Sequence, residues 1–191
     1  MPAVPVPEDC EPEEERYRRL SATPEYSPRV KQFFLHLANE RVKSPIAVRM
    51  AKEHDTSLGE SAAMYMYWMK AKSIPKYDAP FQKCILSYLS DMHFIGTAPR
   101  ILGLKRFGKG PDAQSMLSTI DHSIYFYDND FDCGDWLLYV IMSPRTGSGR
   151  GVMHGRLYTR DGTLVAVTCQ EGVVRADRRN PKSEPKPEAK L

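Results

Sequence analysis

Between Phe81 and Ile95 the apolar residues fall at Phe81, Cys84, Ile85, Tyr88, Leu89 and Met92. That i, i+3, i+4, i+7, i+8, i+11 spacing predicts a helix with a single buried side. At ~100° per residue, Asp91 stands about 90° from the middle of the stripe, on the side of Cys84 and Ser87. An aspartate there is either an ordinary solvated residue near a helix end or an acid held against an apolar groove, where burial and hydrogen bonds tune its basicity. Upstream, Val30, Phe33, Phe34, Leu37 and Ala38 give a second helix one apolar side, with Ser27 as its N-cap and Pro28 in its first turn.

The remaining pattern has the period of strands. Pro45 to Met50 is short and partly β-branched, as an edge strand would be. Ala63 to Ala71 is apolar on both faces, with Met64, Met66 and Trp68 on one and Tyr65, Tyr67 and Met69 on the other. Such a strand needs cover on each side: the 81–95 helix supplies one, and a second domain or subunit is expected to supply the other. Residues 51–62 and Gly103–Gly110 read as loops. Met116–Tyr127, Asp135–Ser143, Gly151–Thr159 and Leu164–Arg175 then behave as a four-stranded meander, the last two joined by the tight-turn pair Asp161-Gly162. One long helix cannot cover a flat sheet of this width, so the sheet has to curl around it.

Composition narrows this picture. At 191 residues the chain can bury one substantial core. Residues 175–191 hold six basic and three acidic groups, which accounts for the whole net charge of +3 and leaves 21 of each sign elsewhere. A folded nucleic-acid binder carries its excess on the domain, so no nucleic-acid partner is expected. No apolar run approaches the ~20 residues of a membrane span. Cys10, Cys84, Cys133 and Cys169 form no CxxC pair, which argues against zinc and a disulfide framework and for buried free thiols. No metal or cofactor is expected. Residues 1–27 read as a linker-like Pro/Glu-rich segment with at most one short helix near Glu13–Leu20, residues 28–175 as the folded domain, and 176–191 as a disordered tail. The tail ends Ala189-Lys190-Leu191, which matches the receptor-read peroxisomal address and implies an import receptor and a peroxisomal matrix location.

Familiar catalytic patterns are missing: no GxSxG, HExxH, Walker loop or dinucleotide fingerprint occurs, and Gly147-Ser148-Gly149 reads as a hairpin loop. His36, His54, His122 and His154 are scattered, and each alone reads as structural. Three polar residues lie where an enclosed site can form: Asp91 on the helix shoulder, Thr119 within a strand, and Gln170 interrupting the apolar strand LVAVTCQEGVV. A buried Gln is costly unless its amide is hydrogen-bonded. Alternation sends Gln170 and Glu171 to opposite faces, so at most one looks at the helix.

The blocks Leu89–Ile95, Thr119–Phe126, Asp135–Tyr139, Gly149–Gly151, Gly155–Tyr158 and Gln170–Arg175 resemble the second half of the type II acyl-CoA thioesterases, a family that includes the bacterial acyl-CoA thioesterase II and its peroxisomal relatives. The likeness runs from about Tyr65 to Arg175, and the proline-rich residues 1–10 are similar to the linker between that family's halves. It implies an α+β hot-dog fold, a curled antiparallel sheet around one long central helix, and hydrolysis of fatty acyl-CoA. It also implies catalytic roles for Asp91 as base and for Thr119 and Gln170 as the groups that orient water. Tyr127 stands where the family usually has His, and Tyr125 where it often has Trp. Family members carry two hot-dog halves, so a homo-oligomer, or pairing with another half, is expected. The alternative is a non-catalytic acyl-CoA-binding or dimerisation half; a hot-dog hydratase fits less well, because no helix-borne acid–His pair is present. Coenzyme A phosphates call for arginine, and Arg150, with Arg145 in the same loop, are the candidates.

Overall fold

A computed structural model describes residues 1–52, 64–106 and 112–176. The loop expected at 51–62 falls almost wholly outside them, as do the end of the Gly103–Gly110 loop and the tail from 177 onward with Ala189, Lys190 and Leu191.

Helices α1 (Glu13–Ser21) and α2 (Pro28–Lys43) lead into strands β1 (Ile46–Lys52) and β2 (Met64–Ala71). Helix α3 (Ala79–Asp91) and the short α4 (Thr97–Ile101) follow. Then come β3 (Gln114–Phe126), β4 (Leu137–Gly147), β5 (Arg150–Tyr158) and β6 (Leu164–Ala176). The α2 start is as expected, with Pro28 in the first turn and the Ser27 side chain accepting from the Val30 amide. All six strands join one antiparallel sheet in the order β1-β2-β4-β5-β6-β3.

The expected meander is therefore three strands long. β4, β5 and β6 follow one another, but β3 pairs with β6 at the far edge. The free side of β4 is taken by β2, through pairs such as Tyr67 with Tyr139, so β3 cannot lie beside β4 and joins the β6 edge. The two hairpins turn where the glycines predict: Gly149 and Gly162 take positive φ values of 77° and 99° that most residues avoid.

The β2 alternation holds. Tyr65, Tyr67 and Met69 enter the main core with Leu86, Leu89, Phe94 and Tyr139, while Met66 and Trp68 join an outer cluster with Cys10, Trp136, Leu138 and Tyr158. The outer cover differs from expectation. Part of it comes from this chain's own N-terminus rather than from a second domain or subunit. Trp68 Nε1 donates to the Pro5 carbonyl at 2.9 Å, and Arg49 Nη1 to the Pro7 carbonyl at 2.8 Å. Residues 1–27 hold the single short α-helix foreseen there, and Cys10 is buried in the outer cluster.

The buried side of α3 also departs from the pattern. Gln82, Leu86, Leu89 and Ser90 face the sheet, whereas Phe81 and Tyr88 are 51% and 61% exposed and Cys84 is exposed too. The six-residue stripe is wider than the strip this sheet covers, and half of it faces outward. Polar residues can sit on the covered side because they are satisfied. Gln82 Nε2 donates to Asp132 at 3.2 Å, and its Oε1 accepts from the Cys133 amide at 2.9 Å. Of the thiols, Cys10 and Cys133 are buried as expected, while Cys169 is only partly covered.

Within the sheet, Gly155 on β5 leaves no room for a side chain, since a Cβ there would collide with the Tyr139 ring on β4 and the Thr168 hydroxyl on β6. Gly155→Ala is accordingly expected to cost about 1–3 kcal/mol through overpacking, read as a lower urea midpoint in far-UV circular dichroism; an unchanged midpoint would refute this packing.

Candidate active site

Helix α3 ends abruptly. Met92 is extended, and His93 takes φ 62°, a left-handed conformation unusual for a residue with a Cβ. A buried polar cluster holds it there. The His93 ring stacks on Tyr67 at 4.7 Å, and its Nε2 lies 3.2 Å from Oε1 of Glu13. Glu13, only 4% exposed, is also met by Arg41 Nε at 3.0 Å and by the Tyr17 hydroxyl at 3.1 Å. Burial pushes the Glu13 carboxyl up, but the adjoining His93 ring, the Arg41 charge and the Tyr17 hydroxyl together outweigh it and hold the group below its ordinary 4.5. The N-terminal helices thus grip the turn that follows Asp91.

The last turn of α3 is also tied to the sheet. Tyr139, fully buried, donates its hydroxyl to the Ser90 carbonyl at 2.7 Å and shares a 3.0 Å hydrogen bond with Thr168. Desolvation raises the Tyr139 hydroxyl well above its ordinary value, so it stays a neutral donor. Beside it, Ser90 Oγ lies 2.9 Å from His122 Nε2, and His122 Nδ1 lies 2.9 Å from Gln170 Nε2.

Gln170 settles the question its alternation left open: it faces the helix and is fully buried, while Glu171 lies on the other face. Its amide nitrogen donates to Asp91 Oδ1 at 2.6 Å across 79 residues of sequence. Asp91 itself is solvent-accessible, so the groove side of the residue is bonded and the rest remains open. The second Gln170 group, Oε1, is buried without a hydrogen-bond partner.

Thr119 reaches the same side of the sheet by an irregularity. It pairs with Gly172 and His122 pairs with Gln170, so three steps along β3 match two along β6, with Ile120 as the extra residue. That bulge places Thr119 and His122 on one face, where strict alternation would separate them. Thr119 is exposed, and among the described residues its hydroxyl has no direct hydrogen bond to Asp91 or Gln170. Gly172 opposite it leaves room for Ile95, whose side chain a Cβ there would strike.

The two arginines stand elsewhere. Arg150 pairs in register with Val173, on the outer face with Glu171, and its Nη1 is bound to Glu171 at 2.9 Å. Arg145 is opposite Val152, which in turn is opposite Glu171, and is exposed on that same outer face. Neither points toward Asp91. The residues that pattern reading missed are His122 and Ser90: only the bulge reveals that His122 faces inward, and nothing in the order of residues announces a bulge.

Among the described residues no cluster of three or more His, Cys, Asp or Glu side chains is placed to hold a metal ion, and no helix is long and apolar enough to cross a membrane. What the site offers is a solvent-accessible carboxylate oriented by a buried amide, with a hydroxyl on the same face.

Comparison with known proteins identifies the family and the fold. A family model described as the acyl-CoA thioesterase C-terminal domain matches residues 7–174. The chain is 32% identical over 177 residues to acyl-coenzyme A thioesterase 8 of Mus musculus, covering 92% of this chain and 52% of that protein. It is 35% identical over 178 residues to acyl-CoA thioesterase 2 of Haemophilus influenzae, covering 92% and 57%. Among solved structures it resembles an acyl-CoA thioesterase II from Mycobacterium marinum with a TM-score of 0.64 and 25% identity, over 93% of this chain and 56% of that one. The chain spans about half the length of these relatives.

Glu13 gives this region a pH signature. A carboxyl whose folded value is depressed adds stability above its unfolded value near 4.5 and loses it as pH falls through the folded value. The denaturation midpoint of the wild-type chain should therefore drop on acidification below pH 4.5 more steeply than that of Glu13→Gln; parallel profiles in urea titrations at several pH values would show that the pair contributes nothing.

Proposed function

Because the chain belongs to the acyl-CoA thioesterase C-terminal domain family and has its hot-dog fold, we propose that it hydrolyses fatty acyl-CoA to fatty acid and coenzyme A by direct attack of water. In this reading Asp91 takes a proton from the water, and Thr119 and Gln170 hold that water in line with the thioester carbonyl. The carbonyl becomes a tetrahedral oxyanion, which collapses by expelling the thiolate; the proton on Asp91 then passes to the departing sulfur. No covalent nucleophile is needed, since a thiolate leaves readily. The observation that carries the reading is the 2.6 Å bond from Gln170 to Asp91 Oδ1, which leaves Oδ2 free to act as base.

A second reading has its own observation. β3 is an edge strand that carries exposed Met116, Ile120 and Tyr125, and α3 turns Phe81 and Tyr88 outward beside it. An open edge with apolar side chains is a template for another strand. We take its occupant to be a second hot-dog half, which in a solution of this chain alone is a second copy. If the substrate groove lies between halves, the isolated chain acts as a binding or dimerisation half until that partner is present. The terminal Ala189-Lys190-Leu191 supports import into the peroxisome by a receptor that reads this address.

Two measurements test these readings. Thiol release from a long-chain acyl-CoA is expected to fall by roughly 10²-fold or more in Asp91→Asn; equal rates for the two proteins would favour the binding half. Light scattering at micromolar concentration should give at least twice the 21.7 kDa chain mass, and a clean monomer would remove the second copy.

A further inference from the structure

We propose that His122 is a positioning residue for the Asp91–Gln170 pair: Ser90 holds it as the Nε2–H tautomer, and its bare Nδ1 fixes which end of the Gln170 amide faces the carboxylate. The inference rests on the hydrolytic reading above and adds a group outside the Asp91, Thr119 and Gln170 trio.

The argument is one of donors and acceptors. Ser90 Oγ has a single proton, which it gives to the Ser87 carbonyl at 2.8 Å. Its 2.9 Å contact with His122 Nε2 is then a bond it accepts, so Nε2 carries the ring proton and Nδ1 carries none. A bare Nδ1 can accept from Gln170 Nε2 at 2.9 Å. The same amide nitrogen donates to Asp91 at 2.6 Å, so both its protons are committed. The amide cannot turn over, because Oε1 would then meet two acceptors. Direction therefore runs from the helix backbone through Ser90, His122 and Gln170 to the carboxylate. Oε1 of Gln170 is buried and has no hydrogen-bond partner among the described residues.

Protonating His122 breaks this order. A proton on Nδ1 would oppose the N–H of Gln170, and turning the amide to satisfy it would set Oε1 against Asp91. The groups that bear on His122 are Asp91 from α3, Asp121 from its own strand, Ser90, Gln170 from β6, and the edge-on ring of Phe94. Burial disfavours the imidazolium, and this outweighs the two aspartates, so His122 titrates below its ordinary 6.5. The neutral tautomer is thus the one present near neutral pH, and acid removes it.

The test uses the full-length chain labelled with ¹⁵N, with the His122 ring resonances assigned by their loss in His122→Asn. Expected are an Nε2–H tautomer at neutral pH and a titration midpoint below 6.5. An Nδ1–H tautomer, or a midpoint at or above 6.5, overturns the proposal without any assay of activity. Kinetics give the second arm. His122→Ala is expected to lower kcat for thioester hydrolysis roughly tenfold or more, by loss of alignment, with KM little changed. His122→Asn, whose side-chain oxygen can still accept from Gln170, should recover part of that loss and shift the acid limb of the rate profile. Wild-type kcat in His122→Ala beside an inactive Asp91→Asn would sink the role of His122 alone. Wild-type kcat in Asp91→Asn would sink the hydrolytic reading, and the tautomer would still report whether the ring is held as described.

Discussion

The last turn of α3 must be held against the concave side of the sheet, and polar bonds do this where apolar packing thins out. Leu86 and Leu89 bury the middle of the helix, but at its end the contacts change character. Tyr139 donates to the Ser90 carbonyl, His122 meets the Ser90 hydroxyl, and Gln170 reaches Asp91. Apolar burial is non-directional and would tolerate a small slide or rotation of the helix. Hydrogen bonds at 2.6–2.9 Å do not. A carboxylate offered to solvent with a defined orientation depends on that restriction.

Three elements distant in sequence converge to impose it. β4 contributes Tyr139, β3 contributes His122, and β6 contributes Gln170, while α1 and α2 reach the far side of the turn through Glu13 and Arg41. The two grips are chemically different. Beyond Asp91, a buried acid with cationic and hydroxyl partners fixes His93 in a left-handed conformation. Before it, a chain of largely neutral groups ties Ser90 to the sheet. Separating the charged cluster from the carboxylate's own hydrogen bonds keeps the Asp91 environment simple: a neutral amide donates to it, and water has access to the rest.

The outward half of the α3 stripe and the open β3 edge carry a related lesson. Phe81 and Tyr88 on α3 and Met116, Ile120 and Tyr125 along the β3 edge are apolar side chains left exposed. The chain covers about half of its relatives' length. The outer face of β2 follows the opposite course, since residues 4–10 pack there and Pro5 and Pro7 accept bonds from Trp68 and Arg49.

Much of this was legible in the chain itself. Period-two and helical spacing located the six strands and the two long helices, and the Asp-Gly and Gly-Ser-Gly turns marked both hairpins, because those features follow from local geometry. Asp91, Thr119 and Gln170 stand out as polar residues within a helix and two strands, and the motif resemblance implies their roles. What the residues could not disclose depends on contacts between distant segments. The side of α3 that is covered is chosen by the width of the sheet, so Phe81 and Tyr88 face out although their spacing places them with Leu89. The place of β3 beside β6 depends on β2 having filled the edge of β4. The inward turn of His122 depends on one extra residue at Ile120, which reverses the alternation from there on. Arg150 lies on the far face for a reason of the same kind: its direction is set by its pairing with Val173, not by its position in a loop. Local sequence selects the elements; which face of each one meets its neighbour is decided only when the sheet closes over the helix and the buried polar groups find partners.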